Sequence, residues 1–574
     1  RNVISTEGAL TVRDVNTFSA LDSEDDVGFG GKITYKRQPS VEDSSWQILP
    51  LAELEFTDRN FSAIERFRAV EFERNWNLLQ LQGLSGFLFG NAGARVVQNG
   101  TGSAELLAEF LDYADTLSGT RINVLANLKK GGWFLDNIGS ALTTEGAINS
   151  QFVRNKIHVG KRWNKLTLGY SDEYEDNQRF GSAGDTLISG SYGFYDGKAY
   201  IAHGDSSTHQ FELFYRERLD RAFNAGSLSG SARAEQVGGV VKFRFSADHR
   251  LSLNVSNRKL IILNEEIIDQ DPENTLLGRV EHNLRLLRGS VSTNTFYEIG
   301  SGLEQQKEFV YIEVQPGQGS YVWNDYNEDG VKDLVEFEVA QFAYEANYIR
   351  TFIPSNDYVR TFTNAFNQTL NLNPGAVWSN AEGWKKVLAR VSNMTAIRID
   401  RKTTHENSAD RFNPFILEVS DTSLLSFGSN FRNTLFINRT NPVFGVNYTF
   451  QDSRNKALLT NGFESRTYGF HEVAVRVNLK SAITFQTTAR LGERENRSDF
   501  LNGRNYLLDE EEATFEAAYQ PTPTYRVSLM GGWSDKLNSL ELGGERAQSF
   551  SAGFTMKVSD IKKGSVEGQF SVVD

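Results

Sequence analysis

The chain has 574 residues, a formal net charge of −13 and no cysteine, and 12% of its residues are aromatic although only 39% are hydrophobic. The absence of cysteine excludes a disulfide framework, and the acidic charge argues against a nucleic-acid partner, because phosphate binding needs a basic surface. No run of 18 or more apolar residues occurs, which excludes a transmembrane helix.

The first distinctive segment, Leu54–Leu78, is dense in alternating charge. Its charged residues include Glu65, Arg66, Arg68, Glu71, Glu73 and Arg74. Inside a wide barrel such residues could pair across facing elements and order the wall. A solvated stretch with i,i+4 ion pairs has the same composition. Both interpretations stay open at the level of sequence.

Apolar and polar residues alternate along most of the chain, which predicts β-strands with one apolar face. In the stretch "VKFRF", for example, Val241, Phe243 and Phe245 fall on one face and basic residues on the other. Arms of this kind are joined by short turns near Trp163–Asn164, Ser246–Arg250 and Pro521–Thr524. The pattern predicts hairpins with short turns and long arms.

The whole chain reads as roughly two dozen strands of about ten residues or more, the length needed to cross a bilayer at a tilt. Longer polar segments lie between the hairpins, including "DEYEDNQRFGSAGDTLISG" and "LGERENRSDFLNGRNYLLDEEE". Short turns on one side and long charged loops on the other are typical of an outer-membrane barrel. Soluble β-sandwiches also alternate, but their strands are usually shorter and no linker divides this chain into sandwich-sized units.

The stretch "YVWNDYNEDGVKDLVEFEVAQF" matches the pattern D-x-[DN]-x-[DN]-G-x5-E of a calcium loop. It places oxygen ligands at Asp325, Asn327, Asp329, Val331 (through its carbonyl), Asp333 and Glu336. Calcium takes six to eight oxygen ligands, and Gly330 at the sixth position permits the sharp turn of the loop. The sequence therefore predicts a Ca2+ site within an insertion at about 314–356. The alternative is a solvated acidic loop.

The flanks of this loop differ from each other. The preceding residues read as a strand followed by a glycine-rich turn, whereas Val335, Val339, Phe342 and Ala346 recur at helical spacing. We therefore expect half of an EF-hand, with a helix on the exit side only. Its affinity should fall in the weak extracellular class, about 0.1–1 mM, and a structural role is favoured over a switch.

Motifs of catalysis are missing from the sequence. The seven histidines are scattered, and there is no H-E-x-x-H helix, no G-x-S-x-G elbow and no phosphate-binding loop. We predict no catalytic residues and no enzymatic activity. Some barrel-embedded hydrolases assemble their groups from separate strands, so that alternative stays open.

Two stretches, Glu55–Leu78 and Gln306–Leu370, resemble large outer-membrane or cell-surface proteins of the Bacteroidota. The shared block is G-x-G-x-Y-x-W-x-D-x-N-x-D-G followed by E-F-E, here Gly317 to Glu338. In those proteins the block lies between barrel-like strand repeats. The resemblance implies an outer-membrane barrel and implies no activity.

The expected architecture is all-β, a large antiparallel transmembrane β-barrel formed by residues 1–574 as a single domain, with long polar loops on one side. The expected role is a channel, translocation or assembly-associated component of the bacterial outer membrane with a calcium-ordered extracellular loop. Its partners would be membrane lipid and other outer-membrane or periplasmic proteins, including a plug of the lumen. The alternatives are a secreted, calcium-stabilised adhesin or binding module and a barrel-embedded hydrolase.

Overall fold

The computed structural model describes the chain except for residues 14–25, 41–44, 66–67, 79–85, 115, 147–148, 182–185, 205–208, 327–328, 343, 405–410, 417–422, 460–461, 480–481, 500–501, 541–542 and 561–563. The described residues form 27 β-strands with a few short helical turns. None of the described helices has the length and apolar character that crossing a bilayer would require. The chain is therefore all-β, as the alternation predicts.

The chain divides into two compact units. The first contains Arg1–Val241 and Ser256–Asn274, and the second contains Lys242–Val255 and Thr275–Asp574. Strands β12 (Ser227–Ser246) and β13 (His249–Ile262) contribute residues to both units.

In the first unit, each strand from β1 to β10 pairs antiparallel with the next one along the chain. The only described α-helical turn there, α1, spans Phe72–Asn75. The strands are β1 (Asn2–Val12), β2 (Val27–Arg37), β3 (Gln47–Thr57), β4 (Phe87–Gln98), β5 (Gly102–Tyr113), β6 (Leu117–Lys130), β7 (Trp133–Gly146), β8 (Asn149–Trp163), β9 (Leu166–Phe180), β10 (Tyr192–His203) and β11 (Gln210–Asn224).

In the second unit the order is likewise sequential, except that β15 pairs with β18 and two three-residue strands lie between them. Helical turns α2 (Gly375–Trp378) and α3 (Trp384–Leu388) follow β18. The strands are β14 (Glu273–Leu286), β15 (Val291–Glu313), β16 (Tyr321–Trp323), β17 (Phe337–Val339), β18 (Tyr348–Leu372), β19 (Val391–Thr403), β20 (Leu424–Ile437), β21 (Phe444–Leu459), β22 (Gly462–Leu479), β23 (Ile483–Ser498), β24 (Tyr506–Thr522), β25 (Tyr525–Asn538), β26 (Arg546–Asp560) and β27 (Gly564–Val573).

The predicted short turns are confirmed at three places. β8 ends at Trp163 and β9 begins at Leu166, β12 and β13 are separated by two residues, and β24 ends at Thr522 just before β25. Apart from β16 and β17, the strands have 10 to 25 residues. Strands of this length exceed those of ordinary sandwiches.

Two of the segments predicted as long polar loops are partly strand. β9 continues to Phe180 through "DEYEDNQRF", and only residues 499–505 separate β23 from β24 within "LGERENRSDFLNGRNYLLDEEE". The prediction was wrong there because density of charge does not end a strand when opposite charges face each other across it. Arg494 on β23, for example, lies 3.6 Å from Glu510 on β24, and Glu510 is buried.

The strands of the first unit have two unlike faces. Side chains alternate along a strand, so residues that pair directly across strands share a face. Leu168, Ile201 and Leu213 form one such row across β9, β10 and β11, and they are 55, 38 and 54% exposed. The opposite face carries ion pairs such as Glu109 with Arg121 at 2.6 Å. Rows of large apolar side chains therefore lie on the exposed face, and ion pairs lie on the other.

The second unit repeats this division. Leu529, Phe554 and Phe570 pair directly across β25, β26 and β27 with exposures of 56, 41 and 66%. On the other face, Arg490 lies between its two directly paired neighbours and contacts Glu472 at 2.6 Å and Glu512 at 3.4 Å. A soluble sandwich would show the reverse arrangement, with its apolar rows buried between sheets.

Candidate functional site: a predicted calcium loop and a charged face

The predicted calcium loop lies at the tip of a long hairpin. β15 and β18 stay paired up to Glu313 and Tyr348, with one register shift between Gln305 and Lys307. The chain between these ends, residues 314–347, forms the insertion and contains β16 and β17. These two strands pair antiparallel, with Trp323 opposite Phe337, so residues 324–336 connect the arms of a small hairpin.

Asp325, at the first ligand position, closes the first half of the loop. Its carboxylate accepts hydrogen bonds from the backbone N–H groups of Asp329, at 3.2 Å, and Gly330, at 2.9 Å. The Asp329 carboxylate accepts a further bond from the Val331 N–H at 2.6 Å. Gly330 has a φ of +70° with open space where a Cβ would lie, so its backbone conformation is what favours glycine. The turn required at the sixth position is therefore formed.

Glu336, at the last ligand position, is fixed from two sides. Its side chain is buried, and its Oε2 accepts a hydrogen bond from the Trp323 indole at 2.9 Å and a longer one from the Asp333 N–H at 3.4 Å. The Glu336 carbonyl accepts the Asn324 N–H at 2.9 Å, which joins the two ends of the loop. Asp333 also caps the single 3-10 turn that Glu336 completes. The second half of the loop is thus held independently of the first.

The predicted helix on the exit side is absent from the described residues. A 3-10 turn over Leu334–Glu336 leads directly into β17, whose Val339 lies opposite Tyr321. The helical spacing of Val339, Phe342 and Ala346 was misleading, because pairing with β16 satisfies the backbone of Phe337–Val339 as a strand. The loop is a β-hairpin connection and not half of an EF-hand.

Aromatic packing attaches this insertion to the hairpin beneath it. Tyr311 of β15 stacks on Phe337 with ring centroids 4.0 Å apart, and Phe337 meets Tyr348 of β18 edge-on at 5.0 Å. Tyr321 is buried against Tyr311. Gly319 lies so close to the backbone of Tyr348 that a Cβ would be 2.6 Å from its nitrogen. The G-x-Y-x-W spacing of the sequence block therefore serves docking as well as the loop itself.

A lysine lies beside the loop. Lys332 contacts Glu313 at 3.0 Å and lies over the rings of Tyr348 and Trp323 at 5.0 and 5.6 Å from their centroids. Hydrogen bonding to Tyr348, and then to Glu313, raises the pKa of Lys332 above its ordinary value. The group therefore stays a cation at any physiological pH, and its attachment to Glu313 ties the loop to β15.

The donor set suits calcium in its chemistry, because every predicted ligand is an oxygen. Asp325 and Asp329 are joined at one end of the loop, and Asp333 and Glu336 at the other, while Asn327 lies outside the described residues. Among the residues that are described, no three His, Asp or Glu side chains are gathered as a metal site requires. Calcium binding by this loop therefore stays a prediction.

The second candidate feature is part of the charged segment of the first unit, which packs on the strands. Phe72–Leu78, which we call the strap, begins with α1 and crosses the charged face of the strands. Trp76 is fully buried and Leu78 nearly so. They pack against one residue from each of five consecutive strands, Phe89, Leu111, Leu117, Leu142 and Phe152.

Polar contacts anchor the strap on both sides of Trp76. Arg74 reaches Glu175 of β9 at 2.8 Å, Asn75 accepts a bond from Arg154 of β8 at 2.5 Å, and Asn77 bonds Ser150 and Asn177 at 2.9 Å. Arg68, just before the strap, contacts Glu55 of β3 at 3.0 Å. These contacts with the strands favour charged residues that pair across facing elements over a solvated stretch with i,i+4 ion pairs. Arg66 lies outside the described residues.

Neither anchor, Trp323 nor Trp76, could be predicted from the sequence. Trp323 could be singled out as an aromatic before the loop, but nothing in its position predicts a bond to Glu336. Trp76 follows a run of charged residues and reads as part of a polar segment. Its packing depends on residues up to 76 positions away, which alternation within single strands does not connect.

No known protein-family model matches the chain, and no curated protein matches it in sequence. Among solved structures, the chain is similar to the siderophore receptor PirA from Pseudomonas aeruginosa, with 7% sequence identity and a TM-score of 0.24. The match covers 100% of this chain and 80% of that receptor. This degree of similarity is too low to transfer a property from one protein to the other.

The bond between Trp323 and Glu336 can be tested by substitution. Trp323→Phe keeps the ring but removes the donor, and it leaves a buried carboxylate oxygen with a poorer set of partners. We expect a cost of about 1–3 kcal/mol, confined to the insertion. Limited proteolysis should then cleave within residues 314–347 faster than in the parent protein. Trp384→Phe, at an exposed tryptophan of α3, is the matched control, and equal cleavage of both variants would contradict the assignment.

The strap can be tested through Trp76. Trp76→Ala removes a fully buried ring and should lower the free energy of unfolding by about 3–5 kcal/mol, as large-to-small core substitutions do. The samples are heated to a series of temperatures before electrophoresis, and the readout is the temperature at which the band of the folded protein disappears from the gel. Trp384→Ala removes the same ring from an exposed site and should change that temperature little. A similar small change for both variants would show that the strap does not stabilise the wall.

Proposed function

We propose that this chain is a β-barrel component of the bacterial outer membrane that serves as a channel or as a translocation or assembly-associated part. The observation that carries the proposal is the division of the strand faces, with apolar rows exposed and charged networks on the other side. Each large apolar side chain left in water forgoes about 1.5–3 kcal/mol relative to burial. Rows such as Leu529, Phe554 and Phe570 are stable against lipid tails, and the charged face then lines a lumen.

Closure of the strands into a barrel is part of this proposal. In hydrocarbon, an open sheet edge would leave backbone N–H and C=O groups without partners, and each costs several kcal/mol. Antiparallel strands of this length and number avoid that cost only when the sheet closes on itself. The resemblance of the sequence to Bacteroidota surface proteins agrees with an outer-membrane location.

Within this proposal the strap acts as a partial internal plug. It covers one end of the charged face over β4 to β9 through the packing of Trp76 and the ion pair between Arg74 and Glu175. Above about 16 strands a barrel encloses a channel unless something fills it. The remaining charged face is available to a solute or to a partner protein that occupies the lumen.

The loop at the tip of the β15–β18 hairpin would be ordered by calcium in this proposal. Asp325, Asn327, Asp329, Asp333 and Glu336 would supply side-chain oxygens, and Val331 its carbonyl. The aromatic base of the insertion already fixes its position, so the ion would stiffen a docked lid and not move it. A structural ion of this kind needs only weak affinity outside the cell.

The lipid-facing assignment is tested by adjacent substitutions on β6. Ile122 lies on the apolar face and is 53% exposed, whereas Asn123 lies on the opposite face. In a bilayer, Ile122→Arg should destabilise by up to about 2–4 kcal/mol, depending on depth, and Asn123→Arg should cost less. On a soluble protein, an arginine at the exposed Ile122 would change stability by only about 0.5 kcal/mol or less. The measurement is urea unfolding in lipid vesicles, preceded by detergent extraction from the outer-membrane fraction.

A protein that stays monodisperse without detergent, with Ile122→Arg neutral, would contradict the membrane proposal. It would favour the secreted binding module instead.

Calcium ordering of the loop has its own test. Millimolar Ca2+ should slow proteolysis within residues 314–347, and EGTA should reverse the protection. Asp325→Asn and Glu336→Gln should each remove the calcium effect, because each replaces a charged oxygen ligand by a neutral amide. Glu382→Gln, at an exposed glutamate between α2 and α3, should leave the effect unchanged. Equal protection by Ca2+ in all three variants would place the effect of the ion elsewhere.

A further inference from the structure

Two of the seven histidines meet in the second unit. His249 begins β13 just after the two-residue turn from β12, and His282 lies in β14. Their Nε2 atoms are 3.2 Å apart, with the rings inclined at 66°. The sequence separates these residues by 33 positions and gave no sign that they would be neighbours.

The sheet register explains why they meet. The Arg285 N–H donates to the Asp248 carbonyl at 2.8 Å, so these two residues lie opposite each other. His249 is then opposite Leu284 and diagonal to His282 on the same face. Phe245, at the end of β12, packs on the His249 ring with centroids 4.4 Å apart and limits its rotation. The pair is therefore fixed by the backbone on two strands and by an aromatic neighbour.

The distance suits two ligands of one metal ion. Zinc binds imidazole nitrogen at 2.0–2.1 Å, and two such bonds at a tetrahedral angle place the nitrogens about 3.3 Å apart. Both rings are only partly buried, so an ion could reach them from solvent. The same distance also fits a hydrogen bond between two neutral rings, in which one Nε2 donates to the other. The ion would take the place of that shared proton.

We propose that His249 and His282 form a two-imidazole binding site for a divalent transition-metal ion such as Zn2+ or Cu2+. Among the described residues, no third His, Asp or Glu completes a ligand set around them. Water fills the remaining positions, so the ion exchanges freely. Bound there, it cross-links the start of β13 to β14 beside the hairpin turn. This site is separate from the calcium loop in place and in ligand chemistry, since imidazole suits Zn2+ and Cu2+ whereas calcium prefers oxygen.

The test uses the full chain without a polyhistidine tag, in detergent, with the calcium loop saturated by Ca2+. Titration with Zn2+ should show one ion per chain, and Cu2+ should give an electron paramagnetic resonance spectrum with coupling to two nitrogens. His249→Gln and His282→Gln should each weaken Zn2+ binding by about tenfold or more and remove one nitrogen coupling. Acidification should weaken binding in the parent protein, because protons compete for the ring nitrogens.

Two features of the design separate a metal site from a structural contact. Glutamine can keep a hydrogen bond to the remaining histidine but supplies no imidazole. If the two histidines only hold the strands together, the glutamine variants should fold and should bind Zn2+ as the parent does. His471→Gln is the matched control, because His471 packs on Phe450 at 4.9 Å but bonds the Tyr448 hydroxyl and not a second imidazole. Its Zn2+ affinity should equal that of the parent. The proposal would be overturned if the parent bound Zn2+ no more tightly than His282→Gln does. It would also be overturned if all three variants lost the same amount of Zn2+ affinity.

Discussion

The alternation of side chains along paired strands is the constraint on which the other features of this molecule depend. Because the backbone is satisfied by the ladders, each strand must present one set of side chains to each face. Here the two sets differ sharply: Leu168, Ile201 and Leu213 share an exposed row, while Glu109 and Arg121 pair on the other side. This is the reverse of a soluble protein, in which the apolar rows would be buried and the charged residues would face water. The proposed location in a membrane would give the exposed apolar rows the apolar surroundings that water does not provide.

The charged face is not passive in this arrangement. An unpaired charge between long strands would be costly, and pairs such as Arg490 with Glu472 and Glu512 allow the strands to carry charge without fraying. The strap adds an apolar contact to the same face, where Trp76 spans residues from five strands. Ion pairs join strands that pair directly, whereas the strap contacts five consecutive strands at once. The strands of the first unit are therefore held together both by ion pairs between adjacent strands and by the apolar packing of the strap.

Sequence was sufficient for what is local. The period of two predicted the strands and the turn before Leu166, and the spacing of Asp325, Gly330 and Glu336 predicted a tight loop whose Asp325 and Gly330 do form the expected turn. It failed where long-range pairing decides the outcome. The region after Glu336 has helical spacing but becomes a strand, because β16 is there to pair with it. The charged stretch ending at Phe180 reads as a loop but remains in register with β8 and β10.

The contacts that could not be predicted are those that join such local pieces. The indole of Trp323 holds Glu336 across the small hairpin, and Tyr311 of β15 stacks on Phe337 from below. The first contact depends on the pairing of β16 with β17, and the second joins that small hairpin to β15, which pairs with β18 over more than twenty residues. A loop attached in this way inherits the rigidity of the hairpin that carries it. For that reason an ion bound by the loop has little motion to control, and its effect would fall on the loop's resistance to opening.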